Sequence, residues 1–137
     1  MSSSQSDPLH QAVPLAGTFD MRTVRQGADE CVVEMAWAEA LCTANGMLHG
    51  GALMALADTA GAVLAFSNLP PDAIGTTTIE SKTNFFSAVK QGSTVTAAAR
   101  PLHVGRTTIV IETEVRNDQG RLVTKTTQTQ AILRPQT

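Results

Sequence analysis

Hydrophobic positions along the chain change period twice. From Cys31 to Trp37 they alternate, with Cys31, Val33, Met35 and Trp37 on one side and Val32, Glu34 and Ala36 on the other. A period of two is the mark of a strand with one buried face. Glu30–Trp37 is therefore read as a strand, preceded by a second candidate, Thr18–Arg25, across the turn-like Gln26-Gly27-Ala28-Asp29. Between Gly50 and Ser67 the spacing becomes helical: Leu53, Leu56, Ala57, Ala60 and Leu64 fall on one stripe. Ala, Leu and Met favour a helix there, and Pro70-Pro71 prevents its continuation. Four further strands are expected at Ile74–Phe86, Ser93–His103, Arg106–Arg116 and Leu122–Leu133. In the third of these, Thr107, Ile109, Ile111, Thr113 and Val115 share a face opposite Glu112, Glu114 and Arg116. Asn117-Asp118-Gln119-Gly120 is a hairpin signal joining it to the last strand. Two strands, one long helix and four strands predict an α+β fold, with the helix on one face of a largely antiparallel six-stranded sheet. Residues 15–134 are expected to form the domain, and residues 1–14 a flexible arm.

Composition narrows the partners. The chain has 137 residues and a net charge of −2, from 12 acidic and 10 basic side chains. The bases are scattered, which argues against the clustered phosphate neutralisation that nucleic-acid binding needs. No apolar run approaches the ~20 residues of a membrane span. The first eight residues lack both the basic start and the apolar stretch of a signal peptide. With Cys31 and Cys42 read as free thiols, a cytoplasmic protein is expected. His10, His49 and His103 are too dispersed to suggest a metal site, and Gly-x-Ser-x-Gly is absent.

The helix is the anomaly. A surface helix carries a charged face opposite its apolar stripe, yet the face opposite Leu53 and Leu56 reads Met54, Asp58, Gly61, Ala62 and Ala65. Asp58 is the only ionisable side chain from Gly50 to Ser67. Such a face is expected either to pack on a second copy of the chain or to line a substrate crevice, and an isologous dimer is the default arrangement. A carboxylate placed there is either an acid or base prepared for chemistry or one half of an ion pair. At the start of the helix, Gly50 and Gly51 leave backbone N–H groups unshielded at the electropositive end, where a carbonyl oxygen can approach. The same two glycines also suit a tight turn.

His49-Gly50-Gly51, with Asp58 after six residues that end in Leu-Ala, and then Thr-Ala-Gly61, resembles the hotdog-fold acyl-CoA thioesterases. The likeness is nearest to the phenylacetyl-CoA and Arthrobacter-type 4-hydroxybenzoyl-CoA thioesterase branch. Asn84-Phe-Phe-Ser-Ala, His103-Val-Gly-Arg106 and Asp118-Gln-Gly120 agree with it, and it spans about residues 15 to 134. The resemblance implies a long helix wrapped by the sheet, dimers that pair into tetramers, and an active site shared by two subunits. It implies that the Gly50 N–H polarises the thioester carbonyl while Asp58 of the facing subunit acts as nucleophile or general base. His49 would hold the loop or touch the thioester. The family's Asn or Gln six residues before the His is Thr43 here, with Asn45 as a neighbouring substitute. A Ser or Thr after the helix would be Thr77 or Thr78, of which strand parity lets one point inward, and Thr78 is favoured. Gly51 and Arg106 are further substrate-binding candidates, Arg106 for the phosphates of coenzyme A, which enters as part of the substrate; no separate cofactor is implied. Two other activities fit the scaffold: hydration or dehydration of an enoyl thioester, and acyl-CoA binding without turnover.

Overall fold

The computed structural model describes residues 7–136. Two short helices come first, α1 (Pro8–Ala12) and α2 (Pro14–Thr18), followed by strands β1 (Arg22–Gln26) and β2 (Cys31–Ala36). The long helix α3 (Gly50–Phe66) comes next, and then β3 (Gly75–Phe85), β4 (Thr94–Val104), β5 (Thr108–Arg116) and β6 (Leu122–Leu133). All six strands form one sheet in the order β1-β2-β4-β5-β6-β3, with every pairing antiparallel. The expected α+β arrangement is the one found.

The inward faces follow the predicted alternation. Cys31, Val33 and Met35 of β2 and Ile109, Ile111, Thr113 and Val115 of β5 are buried, and they meet the α3 stripe of Leu53, Leu56, Ala57, Ala60 and Leu64. Truncating a fully buried leucine such as Leu56 removes about 2–5 kcal/mol of packing. The β5–β6 hairpin turns at Gly120, whose φ of +79° is open to glycine without strain. Asn117 Oδ1 accepts from the Gln119 and Arg121 amides and closes that turn.

Two expectations are corrected. The segment read as a loose arm is helical from Pro8 onward, and Leu9 is buried; residues 1–6 lie outside the described residues. Asp7 holds this segment, accepting from the Leu9 amide at 2.9 Å, the Thr23 amide at 2.6 Å and the Thr23 hydroxyl at 3.2 Å. The first predicted strand, Thr18–Arg25, accordingly begins only at Arg22, and its first residue, Thr18, closes α2, where Pro14 suits the first helical turn. The second correction concerns the open face of α3. Gly61 and Ala65 are buried within the chain, and only Met54, Asp58 and Ala62 remain partly or largely exposed. Gly61 faces β6 because Gln128 reaches across to it: a Cβ there would lie 1.8 Å from Gln128 Oε1.

Candidate functional site

Helix α3 begins at His49, whose φ of −64° and ψ of 136° are those of an extended N-cap. Its Nδ1 accepts the Gly51 amide at 2.7 Å. A ring nitrogen that accepts carries no hydrogen, which leaves the ring hydrogen of this exposed side chain to Nε2. The cap engages Gly51 and leaves Gly50 free. Among the described residues, the Gly50 N–H has no hydrogen-bond partner. The Gly51 amide therefore serves the cap rather than standing open as a donor. The Phe85 ring lies beside Gly50, within 3.2 Å of where a Cβ would stand.

Asp58, two turns further along, is half-buried and is the only charged residue of α3. Its Oδ1 accepts from the Thr78 hydroxyl at 3.0 Å and from Gln128 Nε2 at 2.5 Å. Thr78 also receives Gln130 Nε2 at 2.5 Å, and Gln130 Oε1 accepts from the Thr76 hydroxyl at 3.0 Å. Gln128 and Gln130 are essentially inaccessible to solvent. Beside Thr78 the β3–β6 register shifts, leaving Ile79 unpaired in a bulge. Bulges re-aim neighbouring side chains, and this one has Thr76 and Thr78 facing inward before it and Thr83, bonded to Thr126, facing inward after it.

The structure brings Asp58 and Thr78 together, and His49 with Gly51. It does not bring Thr77 to them: Thr77 makes no side-chain hydrogen bond among the described residues, whereas Thr78, also exposed at this sheet edge, reaches Asp58. Thr43 and Asn45 are exposed in the loop before His49, where with Trp37, Cys42 and Lys90 they line an open cavity of 760 Å³. No hydrogen bond joins either to Asp58. Arg106 is exposed in the β4–β5 turn; its carbonyl accepts from Arg134, and no hydrogen bond or ion pair links its side chain to the other candidates. Gln128 and Gln130 were missed by sequence reading. Their signal was a polar stripe, Thr124, Thr126, Gln128 and Gln130, on alternate positions of a strand whose partner β5 is apolar inside except at Thr113.

A second cavity, of 820 Å³ and mainly apolar, opens one turn beyond Asp58. Ala62, Val63 and Phe66 of α3 form one wall, Leu9 and Ala12 of α1 another, and Thr76 of β3 reaches its edge. Among the described residues no cluster of three or more His, Cys, Asp or Glu side chains is placed to hold a metal ion, and no helix is long and apolar enough to cross a membrane.

Comparison with known proteins gives consistent matches. The family model described as the thioesterase superfamily matches residues 45–124. ComA2 of Bacillus subtilis is 35% identical over 120 residues, covering 88% of this chain and 94% of its own. The 1,4-dihydroxy-2-naphthoyl-CoA hydrolase of Listeria monocytogenes is 29% identical over 109 residues, covering 80% of this chain and 87% of its own. Among solved structures, a hypothetical thioesterase protein with coenzyme A from Streptococcus pneumoniae superposes with a TM-score of 0.82 at 25% identity, over 95% of this chain and 98% of that one.

Proposed function

The chain belongs to the hotdog-fold thioesterase superfamily, and from that premise we propose that it hydrolyses an acyl-CoA thioester to a carboxylic acid and coenzyme A. One observation carries the proposal: a lone helix carboxylate, Asp58, has one oxygen held by two donors while the helix's first amide, at Gly50, stands unpartnered. Attack on a thioester needs both groups. A negative oxygen, or water activated by one, adds to the carbonyl carbon, and an N–H donor takes the charge that develops on the carbonyl oxygen.

Within one chain these groups cannot share a carbonyl. Eight residues of helix separate them by about 12 Å at 1.5 Å rise per residue. A site needs the Gly50 amide of one copy beside Asp58 of another, so the reading requires a homodimer at least, and a tetramer would be a pair of such dimers. Two further features support this. The β3 edge is exposed, with Ile79 outward and the half-exposed Phe85 ring beside Gly50, and the outer side of α3 presents Met54 and Phe66. The His49-Gly50-Gly51 to Asp58 spacing supports the phenylacetyl-CoA and Arthrobacter-type 4-hydroxybenzoyl-CoA branch.

The remaining residues take subordinate roles. Thr78 steadies Asp58, and His49 fixes the turn that frees the Gly50 amide. Thr43, with Asn45 and Lys90 around it, lies where a substrate crossing the loop would pass, and Arg106 offers a charge for phosphate. The apolar cavity beyond Asp58 takes the acyl group, since Ala62 stands one turn from the carboxylate. Thiol release from a panel of acyl-CoA substrates tests the proposal. The wild type is expected to turn over at least one of them, and Asp58→Asn to lose about 10²–10⁴-fold in kcat. An Asp58→Asn protein with wild-type kcat would refute the assignment.

A further inference from the structure

We propose that Gln128 is a positioning residue that decides which oxygen of Asp58 reacts, holding Oδ1 so that Oδ2 alone meets the substrate. The proposal rests on the hydrolase reading of Asp58 given above. Gln128 stands 70 residues from Asp58 in sequence and reaches it from β6, donating from Nε2 to Oδ1. The Thr78 hydroxyl donates to the same oxygen. Thr78 has no choice of direction: it receives the Gln130 amide, and Gln128 Nε2 at 3.2 Å, so its own hydrogen is left for the carboxylate. The Thr76 hydroxyl lies 3.0 Å from both Gln130 Oε1 and the Ala131 carbonyl, and the hydrogen it shares between them favours the amide orientation that turns Gln130 Nε2 to Thr78. Four side chains thus bear on one oxygen of Asp58, and among the described residues Oδ2 has no partner.

The arrangement is unfavourable as mere packing. Gln128 Oε1 is buried and makes no hydrogen bond among the described residues. An apolar side chain of similar length would fill the same space without burying an unpaired acceptor. Turning the amide over would give Oε1 a place beside Asp58, but would set two acceptors against each other. The unpaired oxygen is thus the consequence of presenting the nitrogen to Asp58. Gly61 makes room for it, because any Cβ at that position would collide with Oε1. Gly61 is therefore a companion of Gln128, required by the carboxylate's support rather than by the helix.

The test is steady-state thiol release from an acyl-CoA that the wild type turns over. Gln128→Met keeps length and removes the donor. It is expected to lower kcat by about ten- to a hundredfold with KM within about twofold, as a misaligned reacting group does. Gln128→Asn retains a buried amide but withdraws its nitrogen by one methylene, and it is expected to lose kcat in the same way. In an Asp58→Asn background neither change should lower the residual rate further, since there is no reactive carboxylate to orient. Gly61→Ala should reproduce the kcat loss by itself, and should lower kcat no further in a Gln128→Ala protein. A folded Gln128→Met or Gln128→Asn protein with wild-type kcat overturns the proposal, as does an equal loss in the Asp58→Asn background. A wild type silent on every thioester removes the hydrolase reading, and this one with it.

Discussion

Replacing Asp7 by Ala would release the N-terminal helix from the strand it is tied to. The carboxylate caps α1 through the Leu9 amide and pairs with the backbone and hydroxyl of Thr23 at the start of β1. Loss of an N-cap alone costs about 0.5–2 kcal/mol. The two bonds to Thr23 add to that, but the site is only partly buried, and water replaces some of what is lost. An effect of about 1–3 kcal/mol is expected, lowering the melting temperature by several degrees for a chain of this size. The pH dependence has a definite sign. Burial by itself raises the Asp7 pKa, but the bonds from the Thr23 amide, the Leu9 amide and the Thr23 hydroxyl outweigh it, and the net position is below 3.8. A folded pKa below the unfolded one means that the stabilisation is complete above about pH 4 and fades as pH falls through the lower, folded value. Thermal melts of wild type and Asp7→Ala at pH 7 and at pH 3 and below, at equal protein concentration, measure this directly. The gap between them should be full at pH 7 and narrow in acid. A gap that is absent at pH 7, or that widens on acidification, would show that Asp7 does not anchor the helix.

Two further outcomes follow from named contacts. Cys31 is fully buried, and burial, with the Glu30 charge adding to it, pushes its thiol up to about 11. Cys42 is partly exposed, so iodoacetamide should add once to the native protein, at Cys42, and twice in urea, as mass spectrometry would show; two rapid native adducts would contradict this. Ala62→Phe narrows the cavity between α1 and α3. It should lower kcat/KM for long acyl-CoAs by roughly tenfold or more relative to short ones, and an unchanged chain-length profile would place the acyl group elsewhere.

The sequence made the fold legible because the apolar periods were unambiguous. The alternation at Cys31–Trp37 and Ile109–Val115 left one inward face each, and the Ala-Leu stripe left one buried side of α3. The open side of that helix was less legible. Gly61 and Ala65 look free when the helix is considered alone; only the reach of Gln128 from a strand 67 residues later turns Gly61 inward. Parity allowed one of Thr77 and Thr78 to point inward without saying which, and it could not foresee the bulge at Ile79, which reverses parity for the rest of β3. Gln128 and Gln130 were hidden for a related reason. Val123 and Thr124 are both buried across the register shift opposite Val115 and Arg116, so counting from Val123 assigns the glutamines to the wrong face. The docking of α1 was hidden because an aspartate sixteen residues from Thr23 carries no local sign of pairing with it.

That each reaction centre is assembled from two copies is the claim most open to direct measurement. Proline is tolerated as the first residue of a helix, and His49 already has the extended backbone that precedes a proline, so Gly50→Pro deletes the amide hydrogen while keeping α3, with the Phe85 ring at the sheet edge giving way by a few tenths of an ångström to the new Cβ. Gly50→Pro and Asp58→Asn should each lower kcat by about a hundredfold or more. Co-expressed with different tags and purified as mixed dimers, they should recover about half of the wild-type rate, because one of the two sites then has an intact amide and an intact carboxylate. Mixed dimers no more active than either parent would contradict the account.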